Sequence, residues 1–178
     1  MLNTTGGLVK GELVSDDAGS MRAQRGDDLS ACDVTVVDVG IGNIASICNM
    51  VRRAGYRPAI ARTPEDVAGA PRLILPGVGR WDNAMTRLRD SGMDVALKDS
   101  VIGDRRPILG ICLGMQILLE ASDEGQLPGL GWLPGRNRRF EPPDSVQIKV
   151  PHMGWNIVNV VPNKLTKDLG EEPRYYFV

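Results

Sequence analysis

The chain has 178 residues, a formal net charge of −1 and a sequence pI of about 5.9. That length suffices for one domain with a proper core, and the near-neutral balance argues against a nucleic-acid or polyanion binder. No run approaches the ~20 apolar residues of a membrane span, and the cysteines, Cys32, Cys48 and Cys112, show no C-x-x-C spacing, which argues against a disulfide framework or zinc site and for a reducing, cytoplasmic home.

Residues 1–32 lack aromatic side chains and periodicity, scatter Gly, Ser and Asp, and contain no apolar core of a secretory signal. They read as a disordered N-terminal extension or as sequence upstream of the true start, with Met21 offering a second initiator. The folded domain is expected over 33–178. It opens with the β-branched run Val34–Val39, typical of a buried parallel strand. Gly40-Ile41-Gly42-Asn43 then turns the chain into a helix whose apolar positions Ile44, Ile47, Cys48 and Val51 share one face, with Gly55 as its stop. Cys48 on that face reads as core. The turn lacks the third glycine of a dinucleotide fingerprint and its acidic residue ~20 positions on.

Arg57–Ala61 reads as a short strand, and Thr63-Pro64-Glu65-Asp66 as a helix start with Thr63 at the N-cap and Pro64 at N1. A second apolar strand, Leu73–Leu75, ends in the turn Pro76-Gly77-Val78-Gly79. Its glycines let backbone N–H groups face outward, which suits an oxyanion hole. Helical stretches over Trp81–Asp90 and Met93–Ile102 follow, separated by Ser91-Gly92. Strands alternating with helices at this pitch predict a doubly wound, mostly parallel α/β sheet covered on both faces. The arginine runs, Arg52-Arg53, Arg105-Arg106 and Arg136–Arg139, lie among acidic residues and read as solvated surface.

Arg106–Glu120, RPILGICLGMQILLE, carries the chemistry. An apolar strand, Ile108–Ile111, meets a sharp turn at Cys112 and an apolar helix from Leu113 onward. Gly110 and Gly114 flank the cysteine two residues away on each side, the G-x-nucleophile-x-G elbow with sulfur in place of a hydroxyl. Any Cβ at those two positions would collide with the opposite limb of the turn. The elbow lifts the thiol out at the carboxyl end of the strand, and the helix N–H groups behind it favour thiolate.

With the PGVG turn, this elbow resembles the class I, triad-type glutamine amidotransferases over Val34–Val178. The resemblance implies a flavodoxin-like sheet, Cys112 as nucleophile, the N–H groups of Leu113 and of Gly77, Val78 and Gly79 as oxyanion donors, and Gln116 as a holder of the substrate amino acid. It implies no metal and no organic cofactor. In the family, Asn43 lies towards the face that meets a synthase partner; an asparagine that stabilises its own turn is the plainer reading.

Beyond the elbow, Gly129–Gly135 is turn-rich, and short extended pieces are expected near Val146–Val150, Ile157–Val161 and Tyr175–Val178. Val150–Asn156, VPHMGWN, places the one histidine, a Trp and an Asn in a single tight loop. It resembles the K-x-P-H-M-G-W-N signature of the amidotransferase subunits of imidazole glycerol phosphate synthases. The PGVG turn and Met115 after the elbow agree with that subfamily. The subfamily implies a heterodimer with a (β/α)₈-barrel cyclase, with Met153 and Trp155 on the partner face. Trp155 in the core is the alternative. His152 is expected to brace its loop rather than to act in catalysis.

In the family, a His and a Glu two residues apart follow a Y-Y-F-V-like run. Here the sequence ends at Tyr175-Tyr176-Phe177-Val178, so neither base nor carboxylate can be named. The expectation is a glutaminase lacking its C-terminal strands and inactive as it stands. Two other readings compete: a PfpI-like cysteine hydrolase sharing the elbow, and a non-catalytic fragment that keeps a partner-binding surface.

Overall fold

The computed structural model describes residues 31–143 and 150–177. Strand β1 spans Val34–Val37, helix α1 Ile44–Arg53, β2 Pro58–Ala61, α2 Pro64–Ala68, β3 Leu73–Gly77, α3 Trp81–Asp90, α4 Met93–Lys98 and β4 Ile108–Cys112. The four strands form one parallel sheet in the order β2-β1-β3-β4. The chain moves one way from β1 to β2 and back the other way to β3 and β4. Right-handed crossovers then put α1 on one face and α2 to α4 on the other.

Burial follows that division. Val36 and Ile74 pack with Cys48 and Val51 of α1 on one side. On the other, Val37, Leu73 and Leu75 pack with Val67 of α2, Trp81, Met85 and Leu88 of α3, and Met93 and Leu97 of α4. The second cluster is much the larger. At the β4 edge the α1 side of the sheet is open, and Leu109, beside Ile74 in the register, is 57% exposed.

Local chemistry explains the helix ends. Thr63 caps α2 by accepting from Asp66 N–H, and the Asp66 carboxylate accepts from Thr63 N–H at 3.0 Å, a closed capping box with Pro64 behind it. Asn43 Oδ1 accepts from Ser46 N–H at 3.2 Å, so this side chain does cap its own turn. Cys48 is buried, as its helical position predicts. Helix α4 does not run on regularly: it passes into one π-helical turn over Asp99–Gly103.

Three expectations are corrected. The elbow helix α5 is a single turn, Leu113–Gln116, rather than a helix reaching Glu120. Leu118 and Leu119 N–H instead bond three residues back, and Leu130 and Trp132 N–H return to the carbonyls of Ile117 and Leu118. The apolar run after the elbow is thus a coil of turns tied down by the 129–133 segment. Next, VPHMGWN is not one loop: strand β7 begins inside it and spans Gly154–Ile157, pairing antiparallel with β8, Arg174–Phe177. That moves the expected Ile157–Val161 strand forward, because Trp155 and Tyr176 pair across the ladder. Between these parts, β5 (Ala121–Ser122) and β6 (Arg136–Asn137) form a short parallel pair. The expected disordered extension, the strand near Val146 and the end of the Tyr175–Val178 piece fall outside the described residues, save Ala31, Cys32, Val150 and Tyr175–Phe177.

Candidate active site

Cys112 is the last residue of β4 and holds φ 55, ψ −121, off the favoured regions for an L-residue. Such a conformation costs on the order of 1–3 kcal/mol and persists only where its surroundings enforce it. The enforcement comes from packing so close that side chains are excluded. A Cβ on Gly114 would run into the carbonyl of Leu75 in β3, and one on Gly110 would lie 2.5 Å from Met115 Cα. The turn is therefore clamped between its own limb and the neighbouring strand, and the cysteine is exposed at the top.

The β3–β4 register sets Gly77 directly beside Cys112, so the PGVG turn and the cysteine occupy adjacent strand ends. Leu113 N–H is the first of α5 and has no partner within that turn. Val78 departs from the expected arrangement: its N–H donates to the carbonyl of Ile41 at 2.5 Å, in the turn after β1. In this conformation the Val78 N–H faces the β1 turn instead of a ligand at Cys112. The turns after β1, β3 and β4 thus meet at the carboxyl edge of the sheet, where open α/β sheets bind ligands.

Gln116 closes α5 and is half-buried. Its carbonyl accepts from Asn137 Nδ2 at 3.0 Å, and the same amide donates to Ala121 at 3.3 Å. Asn137 was not legible in advance, since it sits in an arginine run that reads as surface; its one signal is being the neutral residue in that run. Asp82 gives no signal of its role in the sequence either. Its carboxylate accepts from Gln126 N–H at 2.9 Å and from Leu127 N–H at 2.9 Å, while Trp81 Nε1–H donates to Leu127 carbonyl at 2.7 Å. The Leu127 N–H, then that of Gln126, hold the Asp82 carboxyl below the usual carboxylate range.

A cavity of about 880 Å³ opens beside the elbow, lined by Gln116, Asn137, Arg139, His152 and Phe177 among others, and not by Cys112. His152 stacks on Phe177 with ring centroids 4.8 Å apart, and Asn156 Nδ2 lies 2.5 Å from its Nε2. These contacts join the approach to β7 onto β8, which is what a brace does. Trp155 is not core: it is 63% exposed on β7, edge-on to Tyr176. Met153 is exposed too, and Asn43 is exposed at the α1 cap.

The sequence profile of the family "Glutamine amidotransferase class-I" matches residues 35–177. Curated relatives named "Imidazole glycerol phosphate synthase subunit HisH" include one from Bdellovibrio bacteriovorus, 49% identical over 82% of this chain and 72% of its own. A HisH 2 from Pseudomonas aeruginosa is 44% identical, over 82% of this chain and 71% of its own, and one from Methanococcus maripaludis is 42% identical over the same shares. A solved structure described as "Crystal structure of glutamine amidotransferase" shares the fold, with a TM-score of 0.59 at 19% identity over 82% of this chain and 70% of that one. Elbow, sheet order and sequence agree: the chain belongs to the class I glutamine amidotransferase family.

Proposed function

We propose that the chain is the glutaminase part of an imidazole glycerol phosphate synthase, serving histidine biosynthesis in a reducing, cytoplasmic compartment. The observation that carries this is Cys112, exposed at φ 55 on the elbow, one strand from the PGVG turn. The Cys112 thiolate attacks the side-chain carboxamide carbon of glutamine. The tetrahedral oxyanion is held by Leu113 N–H and the Gly77–Gly79 turn. For Val78 to donate, its N–H must leave the Ile41 carbonyl. Collapse expels ammonia once a proton reaches the nitrogen, leaving a Cys112 thioester that water hydrolyses to glutamate. Gln116 holds the amino-acid portion. Ammonia passes to a (β/α)₈-barrel cyclase that docks against the surface bearing Asn43, Met153 and Trp155.

The thiol proton and the leaving ammonia both call for a positioned acid–base group, worth typically ~10²–10⁴-fold. The one imidazole in these 178 residues, His152, is bound up with Asn156 and Phe177. These 178 residues by themselves are therefore expected to release essentially no ammonia from glutamine, with or without cyclase. Two assays test the reading. Mass mapping after treatment with a glutamine-shaped chloroketone should find Cys112 alkylated ahead of Cys48 and Cys32; either of those reacting first would sink the nucleophile. Turnover by the 178-residue chain, abolished by His152→Ala, would replace the brace with a catalytic histidine.

A further inference from the structure

The strap from Gly125 to Pro128 leads away from the wall of the cavity and is fastened to α3. Among the described residues, the hydrogen bonds over 125–128 all go to that helix. Asp82 Oδ1 accepts from Gln126 N–H and from Leu127 N–H, both at 2.9 Å. Trp81 Nε1–H donates to the Leu127 carbonyl at 2.7 Å, and Arg89 Nη2 donates to that of Pro128 at 2.6 Å. The backbones lie close: a Cβ on Gly125 would strike Trp81 Cδ1 and Asp82 Oδ1. On one side of the strap, Ser122, Asp123 and Glu124 line the cavity together with Gln116, the last residue of α5. On its other side, Gly129 and Leu130 N–H bond to the carbonyls of Glu120 and Ile117, behind the elbow. Helix α3 itself starts at Trp81, separated from the PGVG turn by Arg80 alone.

We propose that Asp82 is a positioning residue, which sets the cavity wall over Ser122–Glu124 against the PGVG turn. This rests on the glutaminase reading and adds the group that keeps the two sides of the site in register. The PGVG turn adjoins Cys112 through the pairing of β3 with β4. The wall lies past the elbow, in a stretch whose regular structure is the two-residue strand β5. A carboxylate in the first turn of α3 moves with the PGVG turn, and through the strap it carries that position to the wall. Bonds from backbone N–H groups to an ionised carboxylate are roughly twice as strong as neutral ones, which suits a clamp. Truncating Asp82 leaves two backbone donors without an acceptor, and the wall is then held by the Asp123 contacts with Arg136 and Arg139. Asp82 does not line the cavity, so it acts through the strap, and no covalent step is added.

The test is the concentration dependence of Cys112 alkylation by a glutamine-shaped chloroketone, measured well below the melting point of every variant. Iodoacetamide serves as the reagent that needs no pocket. Half-saturation reads the pocket, and the limiting rate reads the thiol. Asp82→Ala should raise the half-saturating concentration on the order of tenfold, the scale of lost hydrogen bonds to a charged group. Its limiting rate and its iodoacetamide rate should stay as in the wild-type chain. Asp82→Asn keeps an oxygen placed to accept both N–H groups and should recover most of the loss. Trp81→Phe, which gives up the bond to the Leu127 carbonyl, should raise half-saturation by about threefold, the scale of one neutral hydrogen bond. Unchanged half-saturation in a folded Asp82→Ala chain would overturn the assignment and leave Asp82 a structural group only. If that variant does not fold, an unchanged value in Trp81→Phe overturns it in the same way. An equal loss with both reagents would overturn it too, because the change would then lie at the thiol. Labelling of Cys48 or Cys32 ahead of Cys112 in the wild-type chain would instead mean that the glutaminase reading has failed, and the inference with it.

Discussion

Residues 34–122 and 150–177 differ in how they are held. The first stretch contains every buried side chain among the described residues, from Thr35 to Ser122. In the second no residue is buried, and all four residues of β8 are exposed. The β7–β8 hairpin is kept in shape by its ladder, the His152–Phe177 stack and the Trp155–Tyr176 edge contact. A two-stranded hairpin has marginal stability by itself. The elbow, in contrast, owes its geometry to a packed sheet that needs nothing from the hairpin. The position of Cys112 and the shape of the β7–β8 surface are thus settled by separate parts of the chain, and substitutions should separate them.

The sharpest separation is expected at glycine. Gly114→Ala forces a methyl onto the Leu75 carbonyl and should destabilise by roughly 4 kcal/mol or more, an overpacking effect at the top of the usual range. Gly170→Ala, with open space around it, should stay within about 0.5 kcal/mol. Denaturant melts followed by circular dichroism read both. A comparable loss at the two sites would erase the distinction. Next in size, Leu88→Ala in the larger cluster should cost about 2–5 kcal/mol, against almost nothing for Leu165→Ala, where the side chain is 93% exposed.

A smaller effect should appear only with a partner. Trp155→Ala should leave the melting curve in place yet weaken association with a barrel cyclase by about 2 kcal/mol, the scale of an aromatic hot spot. Calorimetric titration measures it, and unchanged affinity would remove Trp155 from the proposed interface. The smallest concerns acid. Asp82 has its carboxyl held low by the Leu127 and Gln126 N–H groups, so its contribution is present above the ordinary carboxylate range. It is lost as pH falls through the lowered native value. Hydrogen exchange should show protection at Gln126 and Leu127 falling in that acid range, and Asp82→Asn should lose this pH dependence. Protection that stays level through the transition would mean the carboxylate is not what holds this segment.

Much of the sheet was legible because its signals are local. Thr63 and Pro64 announce a helix start, the spacing of Ile44 to Val51 announces a buried face, and α3 has the bounds its pattern predicts. The elbow was legible because glycine at 110 and 114 has a steric cause. What escaped depends on partners distant in sequence. The length of α5 is set by segment 129–133 returning to cap Ile117 and Leu118, which the apolar run ILLE does not reveal. Asn137 and Asp82 each serve backbone groups 16 or more residues away. The Val78 N–H bond to Ile41 joins two glycine turns that read as independent.

The three tryptophans are distributed across this architecture in a way that makes the chain its own spectroscopic reporter. Trp81 is fully enclosed with its indole N–H bound to a carbonyl, Trp132 rests half-covered against the same cluster, and Trp155 stands in solvent. Iodide should therefore quench Trp155 first and Trp81 last, and emission from Trp81 should shift to the red only when the sheet opens. A single unlabelled sample can then follow docking at one wavelength and unfolding at another.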